Sequence, residues 1–139
     1  MVEGGCLCGA VRYASDAEPR DETLCHCRSC RRAAGAHVVG WFSAPAASVR
    51  FAGAEPVRFR SSPGVERGFC GVCGTTLTYR SDAFPDEIDL TLASLDRPER
   101  WPPRDHTQVA DRLPWDVVCD GLPAFATTRQ EAGAEEPAR

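Results

Sequence analysis

The 139-residue sequence predicts a mainly β fold. Two observations carry that expectation. Several short stretches alternate apolar and polar residues with period two, as half-buried strands do. Helical signal is weak everywhere except one short stretch, and turn residues separate the alternating segments.

Taken in order, Ala10 to Ala14 alternates around Val11 and Tyr13 and reads as a strand. His37 to Ser43 reads as a more deeply buried one. Val49 to Phe51 and Val57 to Arg60 alternate strictly, which predicts two strands with one wet face, with Gly53 to Pro56 as the turn between them. Arg67 to Phe69 leads into a cysteine pair. Thr75 to Arg80 and Ile88 to Leu92 complete the strands. The best helical candidate is a short turn over Arg28 to Ala34. Pro98, Pro102 and Pro103 make Arg97 to Arg104 a loop. Residues 1–127 are read as one domain, and residues 128–139, polar and acidic, as a flexible tail.

Composition narrows the function. The formal net charge of −4 argues against nucleic acid or an anionic membrane surface as the main partner. All 16 basic residues are arginine, so lysine Schiff-base chemistry is excluded. Met1 to Gly5 shows neither the basic nor the apolar region of a signal peptide, and no apolar run is long enough to span a bilayer. A reducing, cytoplasmic setting is therefore expected, where clustered thiols bind metal more often than they pair as disulfides.

Seven of the eight cysteines fall into three clusters: Cys6-x-Cys8, Cys25-x-Cys27-x-x-Cys30 and Cys70-x-x-Cys73. Cys70-Gly71-Val72-Cys73-Gly74 looks like a zinc knuckle, which supplies two thiolates and needs two more. Cys6 and Cys8 can supply them, because residues i and i+2 of an extended chain point to one side. Such a closed set is expected to stabilise the fold by about 10 kcal/mol of metal binding. Cys25, Cys27 and Cys30 form a compact three-point chelate. Three protein ligands leave a position open for water or a bound thiol, the arrangement of catalytic zinc. The alternative is a second closed site with His37 or Cys119 as the fourth ligand. Arg28, Arg31 and Arg32 stand beside this cluster and can receive substrate carboxylates.

His26 lies between two presumed ligands, so its ring is expected to point the opposite way. His37 opens an apolar strand and reads as a satisfied core histidine. His106, in the proline-rich stretch, is either a general base or a surface residue. Cys119 reads as a plain buried thiol. Trp41, Trp101 and Trp115 read as core or lid packing.

Gly5-Cys6-Leu7-Cys8-Gly9-Ala10-Val11-Arg12-Tyr13, then Cys25-His26-Cys27-Arg28-Ser29-Cys30-Arg31-Arg32, then Phe69-Cys70-Gly71-Val72-Cys73-Gly74-Thr75 resemble the glutathione-dependent formaldehyde-activating enzyme (GFA) family. Ala93 to Asp96, His106, Pro114-Trp115 and Gly121 to Pro123 fit as well. The resemblance runs over roughly residues 4 to 125. It implies an Mss4-like, zinc-stabilised β fold. It implies a structural zinc at Cys6, Cys8, Cys70 and Cys73, and a more labile zinc at Cys25, Cys27 and Cys30. It implies a carbon–sulfur lyase that condenses glutathione with formaldehyde to S-hydroxymethylglutathione.

The leading expectation is thus a zinc-dependent enzyme acting on a small thiol and a small carbonyl. A non-catalytic zinc-stabilised binding module is the second. A redox enzyme with Cys119 as nucleophile is the third, disfavoured because Val118 and Asp120 offer no cationic activation.

Overall fold

The computed structural model describes residues 1–129 and the pair 136–137, so most of the expected tail lies outside the described residues. In chain order the strands are β1 (Val2–Gly5), β2 (Val11–Ser15), β3 (Arg20–Cys25), β4 (Val39–Pro45), β5 (Val49–Gly53), β6 (Val57–Ser62), β7 (Val65–Phe69), β8 (Thr76–Ser81), β9 (Glu87–Thr91), β10 (Asp105–Thr107), β11 (Pro123–Ala124) and β12 (Glu136–Pro137). The helix α1 spans Arg28–Ala34. The mainly β expectation holds. Two compact units share the chain: Met1–Asp21 with Phe42–Trp101, and Glu22–Trp41 with Pro102–Arg139.

In the first unit the pairs β1–β2, β2–β5, β6–β7, β7–β8 and β8–β9 are antiparallel. β2 lies between β1 and β5, and β7 and β8 lie between β6 and β9. Val49–Gly53 and Val57–Ser62 are both strands, but they do not pair with each other. β5 completes the sheet of β2, whereas β6 forms a hairpin with β7. β6 is exposed at every position, so the alternation of Val57 and Phe59 with arginine reported no buried face there, and in neither strand did it name the neighbour.

Val11, Tyr13 and Ser15 of β2 face inward, as do Ile88 and Leu90 of β9. Val11, Tyr13, Ile88 and Leu90 pack with Val2, Phe42, Ala44, Leu77, Leu92 and Leu95. Each large apolar side chain buried here contributes about 1.5–3 kcal/mol. Tyr13 is the polar member of this core. Its hydroxyl bonds Ser94 Oγ at 2.7 Å, and burial pushes its pKa up to about 12. Gly4 is required beside it. An added Cβ would sit 2.5 Å from the Ser94 carbonyl oxygen and closer still to the Tyr13 hydroxyl.

The second unit is built differently. β10 runs parallel to both β3 and β11, with His106 opposite Leu24 on one side and Ala124 on the other. All three residues of β10 are buried, and all three are polar. Each has a partner: Asp105 accepts from Arg129 at 2.9 Å, Thr107 meets Thr23 at 3.1 Å, and His106 meets His26 at 2.8 Å. A strand so polar carries no apolar signal, and the flanking prolines read as a loop.

Gly4→Ala is expected to cost about 1–3 kcal/mol through this clash, measurable by urea denaturation. On the surface, Arg12 donates to Asp96 at 2.9 Å and its guanidinium holds that carboxyl below its ordinary value. A lowered carboxyl pKa stabilises above the unfolded value of about 3.9 and loses that contribution as pH falls through the folded value. Asp96→Asn should therefore lower the Tm slightly at pH 7, as befits an exposed pair, and converge with the parent near pH 2. A gap persisting in acid would assign Asp96 another role.

Candidate metal centres

Two turns build the first cysteine set. Leu7 and Cys8 form a turn between β1 and β2, so the expected extended Cys6-x-Cys8 geometry is not what brings these sulfurs together. Gly9, at φ 78°, donates its N–H to the Cys6 carbonyl at 3.0 Å and lets the chain reverse. The second turn follows β7 and repeats the arrangement. Gly74, at φ 79°, donates to the Cys70 carbonyl at 2.8 Å. Leu7 N–H donates to Thr75 Oγ1 at 3.1 Å and links the two turns.

Sulfurs of Cys6, Cys8, Cys70 and Cys73 lie within 4.8 Å of one another. Backbone N–H groups point at them: Val11 to Cys6 at 3.2 Å, and Val72 to Cys70 at 3.4 Å. Thr75 meets the Cys73 sulfur at 3.1 Å. Hydrogen bonds from the Thr75 hydroxyl and from backbone N–H groups hold the Cys73 thiol down to about 5. Cys8 goes the other way. A backbone bond from Ala10 acts to lower it, but desolvation and the sulfurs of Cys6, Cys73 and Cys70 push it up to about 12. Four sulfurs this close deprotonate together only around a cation. Donors aimed at sulfur, four soft ligands and their mutual repulsion all fit zinc.

Cys25, Cys27 and Cys30 form the second set, within the same 4.8 Å limit. Cys25 ends β3. Cys27 caps α1, accepting from Cys30 N–H at 3.2 Å through its sulfur. Cys30 lies buried in the first turn of the helix. Contacts with Cys27 and Cys30, together with burial, push the Cys25 thiol far above its ordinary value. These donors also fit a zinc ion. Among the described residues, no fourth His, Cys, Asp or Glu joins them. His37 and Cys119, the alternatives for a fourth ligand, lie elsewhere in the unit and line a separate cavity.

Arg28 and Arg32, four residues apart, share a face of α1, with Arg31 three residues from Arg28. Arg28 and Arg32 are exposed, whereas Arg31 is half-buried and donates to the Asp111 carbonyl at 3.5 Å.

All three histidines of the chain gather in the second unit. The His26 ring does turn away from the cysteines, and its Nε2 meets His106 Nδ1 at 2.8 Å. Burial, then the neighbouring His106, pushes the His26 imidazole below its ordinary value. Asp120 binds His106 Nε2 at 2.8 Å. His37 is half-exposed rather than a core residue, with Nδ1 3.0 Å from Asp116 Oδ2. His106 is neither loop nor surface but buried in β10. Cys119 is exposed, contrary to the expected buried thiol. Trp41 is buried and Trp115 exposed. Nothing local in the sequence marks Asp116 and Asp120 as neighbours of His26, because 90 and 94 residues separate them from it.

A family model described as "Glutathione-dependent formaldehyde-activating enzyme" matches residues 1–111. The chain belongs to this family. A Halomonas elongata protein named "Putative glutathione-dependent formaldehyde-activating enzyme" is 29% identical over 126 residues, covering 83% of this chain and 79% of that protein. An "Uncharacterized lyase" of Schizosaccharomyces pombe is 32% identical over 84 residues, covering 55% of this chain and 56% of its own length. A crystal structure of a Rhodobacter sphaeroides protein matches at 25% identity with a TM-score of 0.56, over 68% of this chain and 87% of that one. The GFA matches and the lyase name support an enzyme, and both cysteine sets can hold metal ions. Among the described residues no helix is long and apolar enough to cross a membrane.

Cadmium titration of the metal-free protein should give thiolate-to-metal absorption that saturates at two ions per chain. Cys70→Ser should weaken one of these ions and lower the Tm by several degrees. Cys27→Ser should weaken the other and leave the Tm closer to that of the parent.

Proposed function

We propose that this GFA-family protein is a carbon–sulfur lyase-type enzyme that joins a small thiol, glutathione in the first instance, to formaldehyde or a related small carbonyl. One observation carries the reading: three convergent sulfurs, Cys25, Cys27 and Cys30, with no fourth ligand among the described residues. The names of the family and of the Halomonas elongata relative supply the substrates as expectations.

Cys6, Cys8, Cys70 and Cys73 would hold a structural zinc, and Cys25, Cys27 and Cys30 a second one. A zinc ion on the three sulfurs would supply an electrophilic position at which a thiol binds as its thiolate. Cys27 has the double task of capping α1 and presenting its sulfur, so the helix and the ligand set form together. Arg28 and Arg32 project from the exposed face of α1 and would pair with the thiol's carboxylates. Arg31, tethered to Asp111, sets the direction of that face. In the net reaction the thiol S–H proton is lost, a C–S bond forms at the carbonyl carbon, and the carbonyl oxygen gains a proton. Positioning of the two reactants is the main contribution asked of the protein.

Exchange NMR with 13C-formaldehyde and glutathione measures the rate directly. The zinc-loaded protein is expected to raise it above the spontaneous background, and Cys27→Ser to return it there. A rate at background for the zinc-loaded parent would leave the family's zinc-stabilised binding module as the reading. Arg28→Ala with Arg32→Ala is expected to raise KM for glutathione about tenfold, the effect of losing charge-assisted bonds. The same pair of substitutions should change KM little for a thiol without carboxylates.

A further inference from the structure

On the side of the chain away from Cys25 and Cys27 there is a second site. Leu24 and His26 stand two residues apart and open onto a cavity of about 370 Å3. Val38, Val117 and Val118 supply apolar wall, and Asp116 closes one side. Two polar atoms in this lining are buried without a hydrogen-bond partner: His26 Nδ1 and Asp116 Oδ2. Their side chains are 1% and 10% exposed, and the two atoms lie 3.7 Å apart.

With both imidazoles neutral, the hydrogen-bond chain behind His26 sets what those atoms are. Asp120, an acceptor, takes Nε2–H of His106 at 2.8 Å. Nδ1 of His106 is then a lone pair, so Nε2–H of His26 donates to it at 2.8 Å. Nδ1 of His26 is left as a lone pair too. It faces a carboxylate oxygen, so two buried acceptors confront each other with no donor between them. His37 Nδ1 stands 3.0 Å from the same oxygen on the half-exposed rim but makes no hydrogen bond to it. Unpaired buried acceptors cost free energy until a donor arrives.

We propose that this cavity binds a small primary ammonium compound with a short alkyl chain. An –NH3+ group carries three donors on one atom. It can give one to His26 Nδ1 and another to Asp116 Oδ2 while its charge neutralises the carboxylate. Leu24, Val38, Val117 and Val118 suit the alkyl chain. A monohydric alcohol brings a single O–H and no charge, so it satisfies one acceptor. A quaternary ammonium brings charge but no N–H. An anion meets Asp116 and Asp120 and is repelled. The inference stands apart from the reaction proposed above, since it uses neither the thiols nor a metal.

The test is a titration of the zinc-loaded protein with n-butylammonium at pH 7, followed by the imidazole 1H–15N signals. Saturable shifts of His26 and His106 are expected. 1-Butanol and tetramethylammonium at the same concentrations should shift neither. Asp116→Asn, close in shape, should weaken butylammonium by about tenfold or more, the effect of losing a charged acceptor. No response of the parent protein, an equal response to 1-butanol or to tetramethylammonium, or undiminished binding to Asp116→Asn would overturn the proposal. The comparison of the three ligands needs no variant, so it stands even where Asp116→Asn fails to fold.

Discussion

Sulfur crowding governs this molecule. Seven thiols are drawn into two groups, each within 4.8 Å. As thiolates they repel, and with desolvation this crowding pushes the Cys8 thiol up to about 12 and the Cys25 thiol well above its ordinary value. A cation among the sulfurs removes both penalties. The chain has committed backbone to that outcome. Two glycines at positive φ reverse the turns of the first set, and N–H groups of Val11 and Val72 point at its sulfurs.

The two sets differ in how the surrounding chain uses them. The first closes turns at the ends of antiparallel strands and adjoins the apolar core through buried Cys6 and Cys70. Four sulfurs complete a tetrahedral shell, so nothing can enter without a ligand leaving. The second lies at the junction of a strand and a seven-residue helix, where one sulfur also serves as the helix cap. Three sulfurs leave room for a fourth partner. On the proposed function, stability falls to the first set and reactivity to the second.

Both cysteine groups were readable from sequence because each cluster is local: cysteines one or two residues apart converge almost whatever the fold. The pairing of Cys6 and Cys8 with Cys70 and Cys73 needed the family resemblance as well, since 62 residues separate Cys8 from Cys70. Strands such as Val11–Ser15 and Val49–Gly53 were legible from alternation. β1 was missed because it is half glycine, and β3 because Arg20 to Thr23 is polar. β10 was hidden more completely. Asp105, His106 and Thr107 are buried because partners distant in sequence satisfy them, and no local pattern reports a distant partner. The same reason hid the chain from Asp120 through His106 to His26. Only the direction of the His26 ring followed from the alternation of side chains.

X-ray absorption at the zinc edge of the purified protein tests the central claim most directly. Four sulfurs around one zinc and three around the other predict an average between three and four sulfurs per zinc, with a minor oxygen or nitrogen contribution. Glutathione at the open position should raise the sulfur average toward four and remove the lighter scatterer. An average of four sulfurs before any thiol is added, unchanged by glutathione, would contradict the division into a closed and an open centre.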